Sequence, residues 1–427
     1  MTEKIPKRTM NTLMNAISSG VVPRRGLEYI AVGRKKETET FVADLEETAE
    51  GGGVFRFISG RFGNGKSFMT QMVRNYAMDR SFVVMDADLA VNRRLIGSRG
   101  EGLSTYRELL KNTAYRARPE GGALEPILQE WAERLLGETG ADRDSVTYEA
   151  ILSKVRNAAS GLSNLQHSHD FLIAVARYLF DCLKDAEDSP ALRWLKGEYD
   201  LKSQARKDIG INTLVTDDNW YDVIKLWARL FAVIGYKGLV VFLDEAVVLY
   251  KLSSKVSRSK NYERLLTMLN DIMQGKSSYL SVYVCGTPEF IQDPNRGLYS
   301  YEALRSRLVS GRFENGYDNY LGPVINLRPL SNEEIFVLLR TIRDLHEQKY
   351  DYESEVDDAK LEVYLKKVLS GNVSSSLVTP REITRDLISL LDTLHQNPQA
   401  RFSKLVESRT VDADRDPDND IIEDLDV

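Results

Sequence analysis

The chain has 427 residues, 42% hydrophobic and 28% charged, with a net charge of -6, the make-up of a globular protein with two or three domains. No apolar run approaches the roughly 18 residues that cross a bilayer, and an N-terminus carrying Lys4, Lys7 and Arg8 reads as no signal segment, so the expectation is a cytoplasmic protein without membrane contact. The separated Cys182 and Cys285 and only four histidines exclude a disulfide framework and a zinc-type site; His167 and His169 are read as a solvated loop pair.

Residues 1–26 form a polar N-terminal segment ending at Pro23-Arg24-Arg25-Gly26. The apolar run Tyr29 to Val32 leads to Gly33-Arg34, read as a turn before a helix over Lys36–Thr48; a close approach of the glycine backbone to a nucleotide base is the alternative. Gly51-Gly52-Gly53 stops that helix, and Val54 to Ser59 predicts the first core strand. Gly60 to Ser67 then reads Gly-Arg-Phe-Gly-Asn-Gly-Lys-Ser, a complete Gly-x-x-x-x-Gly-Lys-Ser phosphate loop, followed by a helix to Arg80. Ser81 to Asp86 predicts a second buried strand, since parallel strands covered on both faces are continuously apolar. From 91 to 236 the pattern is helical, with core-facing stripes in Phe171–Leu183 and Val223–Ile234.

The core resumes at Gly238 to Glu245, an apolar strand ending in two carboxylates, then at Leu280 to Cys285, which ends in Gly286-Thr287-Pro288-Glu289, and at Val324 to Leu327. Ser331 and Glu334 form a capping box that opens a helical region to about His395. Val411 to Val427 hold eight acids against Arg415, so residues 406–427 are expected to be a disordered, solvating tail. The fold expected is α/β, a parallel-sheet ATPase domain over 27–330 with a helical insert over 91–236, and a helical lid over 331–405.

The loop carries the first chemistry. Gly60, Gly63 and Gly65 let backbone N–H groups curl around phosphates, with Asn64 and Phe68 in the same nucleotide-binding stretch, Lys66 reaches the β and γ oxygens, and the Ser67 hydroxyl holds Mg²⁺. ATP and Mg²⁺ are therefore the expected cofactors. Asp244 is placed to hold the same metal, and Glu245 to orient and deprotonate the water that attacks the γ-phosphate. Thr287 is read either as a γ-phosphate or water contact or as a strand-ending turn. Arg305 and Arg307 are candidates for a charge donated to a neighbouring subunit's γ-phosphate, with surface ion pairs as the alternative; Arg381 opens a late helix from which it reaches the nucleotide.

The order Gly33-Arg34, phosphate loop, Leu243-Asp244-Glu245, Gly286-Thr287-Pro288-Glu289, an arginine pair, Leu327-Arg328-Pro329-Leu330-Ser331 and Pro380-Arg381-Glu382 resembles an AAA+ ATPase over roughly residues 27 to 395. The resemblance implies a P-loop core with a C-terminal helical lid, Lys66 and Ser67 in Walker A, Asp244 and Glu245 in Walker B, Thr287 as sensor 1, Arg307 as finger and Arg381 as sensor 2. The strings Ile58 to Ser67, Asp86-Ala87-Asp88-Leu89, Arg93-Arg94-Leu95, Tyr106-Arg107-Glu108-Leu109 and Pro119 to Leu124 are similar, more narrowly, to the BrxD-like ATP-binding proteins of BREX phage-defence loci. No winged-helix DNA-binding module is expected after the lid, where initiator-type relatives carry one.

Two functions compete. One is an ATP-hydrolysing, homo-oligomeric switch or motor acting on DNA or on a partner nuclease, helicase or other defence protein; the basic segment Lys251 to Lys260, read as a loop, is its modest support for phosphate contact. The other is a nucleotide-gated scaffold that binds ATP and recruits a partner with little hydrolysis, against which Glu245 argues.

Overall fold

The computed structural model describes residues 5–309, 319–370 and 379–407. In chain order these form α1 (Lys7–Ser18), α2 (Lys35–Ala49), β1 (Gly53–Ser59), α3 (Lys66–Asp79) and β2 (Val83–Asp88). Seven helices follow: α4 (Glu101–Lys111), α5 (Leu124–Thr139), α6 (Tyr148–Ala158), α7 (Ser168–Leu183), α8 (Pro190–Leu195), α9 (Lys202–Ile209) and α10 (Trp220–Ile234). The chain then runs through β3 (Leu239–Asp244), α11 (Val247–Lys251), α12 (Lys255–Met273), β4 (Leu280–Gly286), α13 (Pro288–Gln292), α14 (Glu302–Leu308) and β5 (Val324–Asn326). It ends in α15 (Asn332–Tyr350), α16 (Asp358–Ser370), α17 (Pro380–Gln396) and α18 (Phe402–Glu407).

The five strands form one sheet in the order β2-β3-β4-β1-β5. β2 runs parallel to β3, with Asp88 opposite Asp244, and β3 parallel to β4, with Leu243 opposite Val284. Residues Leu239 to Leu243 and all of β4 are buried, which is why those runs are continuously apolar. The second strand starts at Val83 rather than Ser81, because Ser81 adopts φ 65° and completes the turn after α3. The expected acidic tail lies outside the described residues except for Val406 and Glu407, which belong to α18.

The chain divides into two compact units. One contains the described residues of Val42–Phe57 and Tyr76–Phe313, with most of the sheet and the α4–α10 insert. The insert has its own core, in which the Trp227 indole donates to the Tyr106 hydroxyl at 3.1 Å, Tyr106 donates to the Leu195 carbonyl at 2.6 Å and Phe171 meets Trp227 edge to face. Arg94, 1% exposed, donates to Glu101 at 2.6 Å and to the Ser257 hydroxyl at 3.0 Å. Two of the strings that suggested the narrower resemblance, around Arg94 and Tyr106, thus hold the insert together.

The basic segment is not a loop. Ser254 caps α12, which starts at Lys255, while Lys251 and Arg258 are buried. Arg258 donates to the carbonyls of Leu252 and Ser253 at 2.6 and 3.0 Å. Of the four charges offered for phosphate contact, that of Arg258 is therefore spent on the α11–α12 connection, and Lys251 is withdrawn from the surface.

The other unit contains the described residues of Met1–Phe41, Ile58–Asn75 and Glu314–Asp420. The segment read as merely polar at the N-terminus is helical: Met10, Leu13, Met14 and Ile17 fall at helical spacing and pack into one core with Leu339, Ile342, Leu387 and Leu391. A fully buried leucine such as Leu13 is worth about 1.5–3 kcal/mol, so α1 is an integral part of the helical lid cluster. The Ser331–Glu334 capping box is formed, and a second one, Thr379–Glu382, opens α17.

In the same cluster His346 is fully buried, with Nδ1 at 2.8 Å from the Tyr352 hydroxyl and Nε2 at 3.0 Å from Asp392. Burial pushes its pKa down, and the neighbouring His395 and Lys349 add to that, against the pull of Asp392. A lowered folded pKa means the unfolded chain binds the proton more readily, so this contribution is complete above about pH 6.5 and is lost as pH falls toward the folded value. Urea unfolding of wild type should therefore weaken between about pH 7.5 and 5.5 by more than that of His346→Gln; parallel slopes would refute it.

Candidate functional site

Gly63 and Gly65 take φ of 81° and 85°, backbone open to glycine at little cost, and α3 begins directly at Lys66. A Cβ at Gly60 would stand 3.3 Å from both Asn64 Cβ and Leu327 Cβ, so the loop is packed closely against the exit of β5 and a side chain there would need its neighbours to give by a few tenths of an ångström. Lys66 Nζ donates to the Gly60 carbonyl at 2.7 Å and to that of Arg61 at 3.3 Å. A left-handed glycine turn opening onto a helix N-terminus is the arrangement that binds phosphate, and the residues present fit a nucleoside triphosphate.

The loop is held by groups that the sequence reading did not single out for this task. Arg34, 6% exposed, donates through Nη2 to the Asn64 carbonyl at 2.8 Å and to the Arg328 carbonyl at 2.7 Å, and pairs through Nη1 with the buried Glu37 at 3.1 Å. Asn64 Nδ2 donates to the Leu327 carbonyl at 2.9 Å. Gly33 does make a turn, at φ 72°, but what occupies the space of its missing Cβ is the Glu334 carboxylate. A Cβ on Gly63 would lie 2.4 Å from Thr379 Cγ2, so the capped start of α17 rests on the loop. Phe68, in the first turn of α3, packs against the lid core. Arg381 is exposed in the first turn of α17, its side chain lying beside Gly20.

The Gly63 contact makes a prediction. Gly63→Ala and Gly20→Ala both put a side chain at positive φ, worth about 1–2 kcal/mol each, but Gly20 meets only ordinary contacts of 3.7–3.8 Å. Gly63→Ala should cost clearly more in urea unfolding and should weaken ATP binding, whereas equal costs would remove the close packing of α17 on the loop.

In the other unit, Asp244 is half-buried at the carboxyl end of β3 and its Oδ1 accepts the Glu245 N–H at 2.8 Å. Glu245 is exposed and left-handed, with φ 56°. That conformation is held on both sides, since Ala246 N–H donates to the Cys285 carbonyl of β4 at 2.9 Å and Val248 N–H to the Glu245 carbonyl at 3.0 Å. On neighbouring β2, burial and then the proximity of Asp86 push the Asp88 pKa up.

Thr287 is 2% exposed and accepts the Phe290 N–H at 3.3 Å as the N-cap of α13, with Pro288 at the first helical position. On α14, Arg307 is exposed, donating to Asn270 at 2.9 Å and to the Ala303 carbonyl at 2.6 Å. Arg305, also exposed, has Glu302 at 3.6 Å. Among the described residues no cluster of three or more His, Cys, Asp or Glu is placed to hold a metal alone, and no helix is long and apolar enough to cross a membrane.

Sheet order β2-β3-β4-β1-β5, a phosphate loop joining β1 to α3, an acidic end to β3 and a terminal helical cluster define a P-loop protein of the AAA+ class. A family profile described as BREX system ATP-binding protein BrxC/D matches residues 5–410. The chain belongs to this family and is an ATP-binding protein of the BREX system. Among solved structures it is similar to domain III of the Thermotoga maritima replication initiation protein DnaA, at 10% identity over 91% of this chain and 93% of that one, with a TM-score of 0.36. No curated protein matches.

Proposed function

We propose that the protein hydrolyses ATP with Mg²⁺ as a self-assembling switch or motor of BREX defence, acting on DNA or on a partner protein from the cytoplasm. The observation that carries this reading is Glu245: an exposed carboxylate at a strand end, held in a backbone conformation uncommon for a non-glycine residue. Such strain concentrates where a side chain has to be aimed, and a protein that only binds nucleotide does not need a water-activating carboxylate.

In this reading the backbone of Gly60 to Phe68 and Lys66 bind the phosphates, and Ser67 and Asp244 hold Mg²⁺, which supplies charge neutralisation when bound. Glu245 orients and deprotonates water, Thr287 contacts the γ-phosphate or that water, and Arg381 reaches the nucleotide from the lid. Arg307, with Arg305 beside it, donates positive charge to the nucleotide of an adjacent copy. Native mass measurement with ATP and Mg²⁺, with and without DNA, together with turnover under the same conditions, tests it. Assembly that requires nucleotide and Mg²⁺-dependent turnover support the reading; a nucleotide-independent monomer removes the trans role of Arg307, and bound ATP without turnover leaves a scaffold.

A further inference from the structure

We propose that Arg34 is a positioning residue that aims a phosphate-binding N–H by holding the carbonyl on the other side of the same peptide. This deepens the reading that Gly60 to Ser67 bind ATP and rests on it. The Asn64 carbonyl and the Gly65 N–H belong to one planar unit, and no peptide of the described chain is cis. In a trans peptide the C=O and N–H vectors point in opposite directions. Arg34 Nη2 takes the Asn64 oxygen at 2.8 Å, which turns the Gly65 hydrogen away from Arg34. Gly65, at φ 85°, then continues the turn into α3.

The hold is rigid because Arg34 is itself fixed. The same Nη2 donates to the Arg328 carbonyl at 2.7 Å, and the buried Glu37 carboxylate, 2% exposed, takes Nη1 at 3.1 Å. Asn64 is tied a second time, from its side chain to the Leu327 carbonyl at 2.9 Å. Leu327 and Arg328 lead into Ser331, the cap of α15, whose Glu334 returns to lie against Gly33. Arg34 therefore joins the apex of the loop to the strand-to-lid connector through one nitrogen, and a planar fork serves three oxygens in this way where an ammonium would not.

The test uses the full chain. ATP affinity in Mg²⁺ is measured by equilibrium titration, and amide hydrogen exchange is followed without nucleotide. Arg34→Ala should lose about 10- to 100-fold in ATP affinity, the range expected for a charge-assisted bond, with exchange at Gly65 accelerated selectively over α15 and α17. Wild-type affinity in Arg34→Ala overturns the proposal, as does exchange accelerated uniformly through the lid helices, the mark of a purely structural residue. Arg34→Ala leaves Glu37 buried without its partner; if it fails to fold, the double variant Arg34→Gln/Glu37→Gln removes both charges together and should show the same selective loss. A wild-type protein that does not bind ATP would instead sink the underlying reading.

Discussion

Glu245→Gln should bind ATP as tightly as wild type and turn it over about 10²–10⁴ times more slowly, the range a positioned general base contributes. The substitution keeps the length of the side chain and the backbone requirement while removing the proton acceptor. Two bonds that hold the backbone there, from the Glu245 N–H to Asp244 Oδ1 and from the Ala246 N–H to the Cys285 carbonyl, use main-chain groups of residues 245 and 246 and stay intact. A companion, Glu245→Gly, separates geometry from chemistry, since glycine adopts φ 56° without a Cβ clash. It should be no less stable than wild type in urea and equally slow. Wild-type turnover in Glu245→Gln would end the general-base assignment, and a large stability loss in the glycine variant would show that the side chain is structural.

The largest stability effect is expected at Arg56. Its guanidinium makes two bonds to the Asp44 carboxylate, Nε at 3.0 Å and Nη2 at 2.6 Å, with Asp44 only 3% and Arg56 13% exposed. The Tyr283 hydroxyl, also buried, lies 3.4 Å from the same carboxylate. Removing the cation leaves a carboxylate inside the protein without its strongest partner, and such half-pairs cost about 3–5 kcal/mol. Arg56→Ala should therefore shift urea unfolding far more than any exposed substitution, whereas Arg56→Met combined with Asp44→Asn should recover much of the loss, because no bare charge remains. Recovery that fails would mean the pair contributes through its attraction rather than by mutual neutralisation.

Most of the scaffold was legible because its signals are local. A phosphate loop between an apolar run and a helix, strands that read as unbroken hydrophobic stretches, and the Ser331 capping box each depend on neighbours in sequence. The spacing of Met10, Leu13, Met14 and Ile17 is equally local, but it lies in a segment whose charges dominate the reading, so α1 emerges only from the structure. Thr379-Pro380-Arg381-Glu382 also carries the Thr-x-x-Glu pattern with proline at the first helical position, and it was read only for its arginine. What could not be read is where distant backbone groups converge. Arg34 meets a carbonyl 30 residues away and another 294 away, and no pattern in one sequence encodes that pairing. The left-handed backbone of Glu245 likewise depends on β4 accepting the next N–H. The basic run from Lys251 misleads because its charge reads as a loop open to phosphate, whereas Arg258 uses its guanidinium to satisfy the carbonyls of a tight connection.

The chain's four tryptophans, at 131, 194, 220 and 227, all fall in the long helical excursion between β2 and β3, and all four are shielded, each being 2% exposed or less. Ultraviolet emission is therefore a one-sided optical signal, reporting the unit that carries most of the sheet, whereas helical ellipticity sums over both. A denaturation curve recorded by emission and one recorded by ellipticity should separate wherever the two units differ in strength. Substitutions at Arg56 should move the emission curve, and those at Gly63 should leave it nearly in place, so that two inexpensive spectra become a map of which part of the molecule a change has loosened.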